Sequence, residues 1–173
     1  MNTNILICAY GPDRTGIVEE ISNAALKNEF NILDSRMAVL GDHFSILMLV
    51  AGTAAMFDVL KKDASSISGL TVSLKSVSDR EIKSDVFEYK VKIVGEDAKG
   101  LVHEITKYLK SQNANVLTLD TSRGHAPHSG TQLFRMDILV EAPKNVNVRN
   151  FKTGLIELCD RLNMDVDVEQ VGR

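Results

Sequence analysis

The sequence has no excess of basic residues, only two cysteines, and no apolar run long enough to span a membrane. Each shortage excludes something. The 20 Lys and Arg are outnumbered by 23 Asp and Glu, for a net charge of -3, whereas proteins that grip nucleic acid through its phosphates carry a basic excess. Cys8 and Cys159 are too few for a disulfide framework and read as free, buried thiols. The longest apolar candidate, residues 46–52, has the length of a strand, not the ~18 residues of a membrane span. Met1-Asn2-Thr3-Asn4-Ile5 lacks the basic region and cleavage site of a signal peptide, so a cytoplasmic protein is expected. With 44% hydrophobic residues and nearly balanced charge, the chain is not a disordered one. Its 173 residues suit one medium domain or two small ones of about 85 residues.

What is present is a repeat. Gly11-Pro12-Asp13-Arg14-Thr15-Gly16-Ile17-Val18-Glu19-Glu20-Ile21 aligns with Gly95-Glu96-Asp97-Ala98-Lys99-Gly100-Leu101-Val102-His103-Glu104-Ile105 at an offset of 84, with six of the eleven positions identical. At the same offset Asn31-Ile32-Leu33 falls on Asn115-Val116-Leu117. Later the register slips by six residues, so Met48-Leu49-Val50 meets Ile138-Leu139-Val140, and His125-Ala126-Pro127-His128-Ser129-Gly130 reads as a longer hairpin tip in the second copy. Splitting the chain after Ser84 leaves 8 basic and 10 acidic residues, then 12 and 13. The halves carry -2 and -1, so neither is a basic module.

Each copy reads as β-α-β-β-α-β. In the first, residues 5–9 form a strand that enters a Gly-Pro-Asp turn. Asp13 or Thr15 is the expected cap of a helix whose buried stripe is Ile17, Ile21, Ala24 and Ala25. Residues 31–40 and 44–52 form a hairpin around Gly41-Asp42. Met56, Val59, Leu60 and Ile67 mark a second helix, and residues 70–74 a last strand. The second copy repeats the order over 87–94, 100–112, 115–123, 132–142, 148–163 and 166–171, with Val148, Phe151, Leu155, Leu158 and Leu162 at helical spacing. The expected architecture is α+β: two ferredoxin-like units in tandem, at 1–76 and 86–173 with a linker over 77–85, each an antiparallel sheet with helices on one face. Because residues 46–50 are apolar at every position, both faces of that strand are expected to be buried. This implies intimately paired repeats and a homodimer.

The repeated Gly-x-Asp-x-x-Gly turn is the main place where chemistry could reside. It lies between a strand and a helix start, where backbone N–H groups lack helical partners and favour a carboxylate or phosphate. The plainer alternative is that Asp13 and Asp97 merely cap their helices while the glycines permit the turn. Asn31 and Asn115 each end a helix-to-strand turn. Their plainer role is left-handed turn geometry. In the sharper one, the side-chain amide donates to a carboxylate and accepts from an ammonium, as a free amino acid requires.

The run Pro12-Asp13-Arg14-Thr15-Gly16-Ile17-Val18, followed by Asn31-Ile32 and the β-α-β-β-α-β order, resembles the ACT domain family of small amino-acid-binding regulatory modules. Asn31-Ile32-Leu33-Asp34-Ser35-Arg36-Met37-Ala38-Val39-Leu40-Gly41-Asp42, with the tandem arrangement and total length, is similar to the tandem members that repress glycine cleavage genes. The resemblance implies a non-catalytic protein that senses a small amino acid, glycine among them, and represses by binding an activator-type transcription factor, not DNA. It implies a ligand held where two modules meet, between first-loop backbone and the start of the second strand. Carried over, the site is Asp13, Arg14, Gly16, Asn31 and Ile32, with Asp97, Gly100, Asn115 and Val116 in the second copy. No cofactor and no metal are implied.

Two positions depart from the family pattern. Thr15 stands where proline is usual, and Pro presets helix-start geometry. Glu96-Asp97-Ala98-Lys99 replaces the Pro-Asp-Arg-Pro pattern, which leaves scaffold or partner surface as the second copy's alternative role. The first-loop run also resembles the regulatory ends of some deformylases and phosphatases, so a separate sensing subunit acting on a metabolic enzyme is the alternative function.

Other constellations are weaker. Cys8 with His43, or Cys159 with His103, could be drawn as a nucleophile and base, but no local motif supports either pair. His125 and His128 lie on a Gly/Pro/Ser loop without cysteine or carboxylate support for a metal. Arg36, following Asp34, is expected in a cross-strand ion pair or facing a partner. No basic recognition helix appears, so direct nucleic-acid contact is not expected.

Overall fold

The computed structural model describes residues 2–81, 84–125 and 131–171. The chain divides into two compact units, Met1–Glu81 and Ile82–Arg173. The first contains strands β1 (Asn2–Pro12), β2 (Asn31–Leu40), β3 (His43–Thr53) and β4 (Thr71–Val77), with helices α1 (Ile17–Lys27) and α2 (Phe57–Ser65). The second contains β5 (Val86–Glu96), α3 (Leu101–Ser111), β6 (Asn115–His125), β7 (Gln132–Pro143), α4 (Val148–Arg161) and β8 (Met164–Val171). Each unit has one four-stranded antiparallel sheet, ordered β2-β3-β1-β4 and β6-β7-β5-β8. The two units are therefore ferredoxin-like, with matching element order. The middle of the longer hairpin tip, residues 126–130, lies outside the described residues.

The first core follows from strand alternation meeting a helical stripe. Ile5, Ile7 and Ala9 of β1 and Phe44, Ile46, Met48 and Val50 of β3 point to one face, where Ile17, Ile21, Ala24 and Ala25 of α1 and Leu60 and Ala64 of α2 cover them. Each such Ile or Leu stabilises the unit by about 1.5–3 kcal/mol relative to an exposed position. Asn28, buried at the end of α1, donates to the Ala24 carbonyl at 2.8 Å and to the Asp63 carboxylate at 2.9 Å, tying α1 to α2. Val59, expected in the stripe of α2, is instead exposed, and Leu60 and Ala64 carry the contact.

Tyr89, Val91 and Ile93 of β5 and Phe134, Met136, Ile138 and Val140 of β7 build the second core with Ile105, Leu109, Phe151 and Leu155. Tyr108 of α3 donates its hydroxyl to the Phe151 carbonyl of α4 at 2.8 Å. Unlike α1 and α3, α4 has a side-chain cap, Asn147, which accepts from the Asn150 amide at 3.1 Å.

The apolar run at 46–50 is not buried on both faces. Ile46, Met48 and Val50 face the helices, while Leu47 on the other face is 50% exposed. The two open faces differ in kind. The first presents Leu6, Cys8, Tyr10, Leu47 and Leu49. On the second, the same rows bring Lys90 opposite Glu169 and Lys92 opposite both Asp137 and Asp167.

The first glycine of the repeated turn is a packing requirement. A Cβ on Gly11 would stand 2.2 Å from the Gly69 carbonyl oxygen, and one on Gly95 would stand 2.7 Å from that of Asn163. In both units the strand end passes against backbone that cannot withdraw. Gly11→Ala is therefore expected to destabilise the first unit by about 1–3 kcal/mol, read as a lower urea midpoint. An unchanged midpoint would show that the close approach relaxes without cost.

Candidate functional site

The loop at the end of β1 is fixed by backbone. The Asp13 amide donates to the Asp42 carbonyl at 2.9 Å, and the Asp97 amide of the second unit donates to the Gln132 carbonyl at 3.3 Å. Each first loop is thereby tied to the adjoining hairpin. Neither Asp13 nor Thr15 caps α1. The N-cap is Gly16 at φ 96° with no side-chain cap, and in the second unit it is Gly100 at φ 88°. That left-handed backbone is costly for residues with a Cβ, which explains a glycine at both places. The first helical bonds run from the Glu20 amide to the Gly16 carbonyl and from the Glu104 amide to the Gly100 carbonyl, each at 3.0 Å. The amides preceding Glu20 and Glu104 in each first turn have no helical partner, the arrangement that suits an anion.

Arg14 is engaged within its own unit. Its guanidinium donates to both carboxylate oxygens of Glu20, at 2.5 and 2.6 Å, and to the Ser68 carbonyl at 3.2 Å. A ligand carboxylate would have to displace Glu20 to use it. The hydrogen bond to Arg14 holds the Glu20 carboxyl below its ordinary value of 4.5, and the reciprocal bond raises Arg14. The second unit lacks this brace, because Ala98 stands at the position of Arg14. There Arg123 on β6 donates from Nε to the Asp97 carboxylate at 2.9 Å instead.

Asn31 and Asn115 are the first residues of β2 and β6. Left-handed geometry belongs to Glu29 (φ 60°) and Asn113 (φ 53°), two residues earlier in each copy. The expected turn-forming role of Asn31 and Asn115 therefore does not hold. Asn31 and Ile32 instead border an open groove of about 340 Å³, closed by Glu19, Ser22, Asn23 and Leu26 of α1 and floored by Phe30.

The structure does not bring the two halves of the expected site together within one unit. Asn31 pairs with Ala51, which pairs with Asn4, whereas the loop leaves β1 at Pro12. From Asn4 to Pro12 is eight residues, about 27 Å of strand. In the second unit Asn115 lies in the row of Glu141 and Glu88, and β5 ends eight residues later at Glu96. The same separation results. Asp13, Arg14 and Gly16 thus stand at one end of the unit and Asn31 and Ile32 at the other, as do Asp97 and Gly100 relative to Asn115 and Val116. Two further grooves, of about 430 and 310 Å³, lie on the open face of the second sheet and are lined by none of these residues.

The remaining constellations come apart. Cys8 pairs across β1 and β3 with Leu47, while His43 pairs with Pro12, so the two sit four rows apart. Cys159 is buried, and burial followed by the neighbouring Asp160 charge pushes its thiol up to about 11. A thiol held protonated is a poor nucleophile. His128 lies outside the described residues, and among those described no group of three or more ligating side chains could hold a metal. No described helix is long and apolar enough to cross a membrane. Arg36 bonds to Asp34 two residues earlier on the same strand, not across the sheet.

With this geometry in place, known proteins supply a frame. The ACT domain model matches residues 3–75. The glycine cleavage system transcriptional repressor of Escherichia coli (strain K12) is 23% identical over 171 residues, 96% of this chain and 90% of that one. A UPF0237 protein of Methanocaldococcus jannaschii is 32% identical over 89 residues, which cover 50% of this chain and 94% of that protein. Over the full length, a crystal structure of an unknown protein from Galdieria sulphuraria superposes with a TM-score of 0.88 at 29% identity, covering 99% of this chain and 100% of that one.

The brace between Arg14 and Glu20 has a defined pH signature. A depressed carboxyl contributes order above its unfolded value and loses it as pH falls through its folded value. Amide signals of residues 14–17 are therefore expected to shift as pH drops below 4.5. Glu20→Gln should leave them in the acid-like position at neutral pH. Wild-type signals that stay flat through the acid range would rule the brace out.

Proposed function

We propose, on the premise that this chain belongs to the ACT domain family, that it is a non-catalytic regulatory protein that binds a small amino acid, glycine among them. In this reading it represses glycine cleavage genes by engaging an activator-type transcription factor rather than DNA. The chain aligns along nearly its whole length with a relative named as such a repressor. Its acidic balance, 23 Asp and Glu against 20 Lys and Arg, also fits a protein partner better than a phosphate backbone.

The observation that carries the ligand reading is the pairing, in both copies, of an amide-rich helix start with an asparagine that no turn requires. The loop amides at Gly16 suit the carboxylate of an amino acid. The Asn31 side chain can accept from its ammonium and donate to its carboxylate at once. Since these groups stand about 27 Å apart along one unit, a single zwitterion meets both only when a second module supplies the other half. Binding then couples to association, and each strengthens the other by the same factor. Ligand shifts the population toward the associated form, and the partner reads that shift. The second repeat, without the Arg14 brace, either keeps a site at Asp97, Gly100, Asn115 and Val116 or serves as scaffold or partner surface.

Calorimetric titration with glycine, serine and other small amino acids is expected to show saturable binding. Asn31→Ala should weaken it by about 1–3 kcal/mol, the cost of an unmade polar contact, with the fold intact by circular dichroism. Flat traces for every amino acid would overturn the sensing half. Co-purification with the tagged chain is expected to recover an activator-type transcription factor, and recovery of a metabolic enzyme in its place would overturn the repression half.

A further inference from the structure

We propose that two copies of this chain stack the open faces of their first sheets, related by a two-fold axis that runs parallel to the strands between β1 and β3. That face is apolar at its centre. Leu6, Cys8 and Leu49 are partly buried and Leu47 is 50% exposed, while the helices cover only the other side of the same strands. A contiguous exposed apolar patch marks a contact surface. Two sheets that meet face to face pack about 10 Å apart with their side chains interdigitated.

The cross-strand register names the occupant. Asp34, Leu49, Leu6 and Lys75 form one row across β2, β3, β1 and β4. The next row toward the first loop is Arg36, Leu47, Cys8 and Ser73. An acid therefore stands at one end of the first row and a base at the other, with two leucines between them. Rotation about an axis parallel to the strands keeps each row at its height and reverses its order. The first row then lies on its own reverse. Asp34 of each copy meets Lys75 of the other, and Leu49 of each meets Leu6 of the other. In the second row Leu47 meets Cys8. Two ion pairs thus close the edges of an apolar centre, a complementarity that only a second copy of the same face supplies. Arg36 keeps its bond to the Asp34 carboxylate within its own copy, so that carboxylate serves both cations.

Other arrangements lack that match. A two-fold axis across the strands lays Lys75 over Ser73 and gives it no acid. The second unit cannot stack in the same way. Its corresponding rows are Thr118, Leu139, Lys90 and Glu169, then Asp120, Asp137, Lys92 and Asp167. Reversed on themselves, they set Asp120 against Asp167 and Leu139 against Lys90. The stack does not rest on the amino-acid reading. Rotation at constant height places first-loop end over first-loop end, and it carries no Asn31 to a loop.

Two measurements on the full chain test the stack: sedimentation velocity over a concentration series, and the rate at which iodoacetamide alkylates Cys8. Folding is checked by circular dichroism, and Cys159, buried within the second core, is the internal reference. The wild type is expected to self-associate, with Cys8 alkylated several-fold more slowly in the associated form than at high dilution. Lys75→Asp alone and Asp34→Lys alone oppose like charges at both edges, and each should weaken association at least about tenfold. An equimolar mixture of the two variants regains both ion pairs, as does the double variant, so both should associate like the wild type. A monomeric wild type would overturn the stack and leave the face to a different protein. Association that leaves Cys8 as reactive as in the monomer would overturn it by placing the contact elsewhere. Single variants that associate like the wild type, or a double variant that fails to recover, would do the same.

Discussion

Antiparallel pairing of β1 with β3, and of β5 with β7, runs over eleven residue pairs in each unit. That ladder sets the distance between everything else. It places the first loop and the start of the second strand at opposite ends of a sheet, and no side-chain adjustment can close a separation fixed by backbone hydrogen bonds. An amide-rich loop and a polar strand start are each incomplete alone, which makes association between modules a geometric requirement of the amino-acid reading.

Duplication preserved the ladder and released the corners. Both copies keep the tight glycine at the strand end and the left-handed glycine before the helix, because backbone sterics allow little else. The electrostatics diverged. Arg14 braces the first loop through Glu20, whereas Asp97 in the second copy is held by Arg123 from the hairpin strand. One sheet face stayed rich in Leu and the other became rows of Lys, Asp and Glu. An apolar face and an exposed strand edge suit contact with protein, while a charged face suits water or a partner chosen by charge.

Much of this was legible in the residues. The short apolar runs of β1 and β3 and the Ile17, Ile21, Ala24 and Ala25 stripe of α1 encode the fold directly, and the 84-residue offset exposes its duplication. Capping is not legible locally: Asp before a helix is a strong signal, but the chain turns through Gly16, which takes the N-cap position with no side-chain cap. Of the two roles open to Asn31, the left-handed turn falls to Glu29, because propensity favours Asn while tertiary packing decides which residue actually turns. Residues 46–50 are buried on one face only, and an all-apolar strand does not reveal whether its second face meets anything. The Arg14 contact with Ser68 spans 54 residues, and no local pattern encodes it.

The absence of tryptophan, together with where the tyrosines fall, has a spectroscopic consequence. Ultraviolet-excited emission from this protein comes from three phenols. Tyr10 is exposed near the end of β1, two residues before Pro12, whereas Tyr89 and Tyr108 flank the Phe151 ring in the second core at 5.4 and 6.1 Å. Quenchers added from solution reach the first chromophore and not Tyr89, so the chain carries separate optical reporters for its two halves without any label.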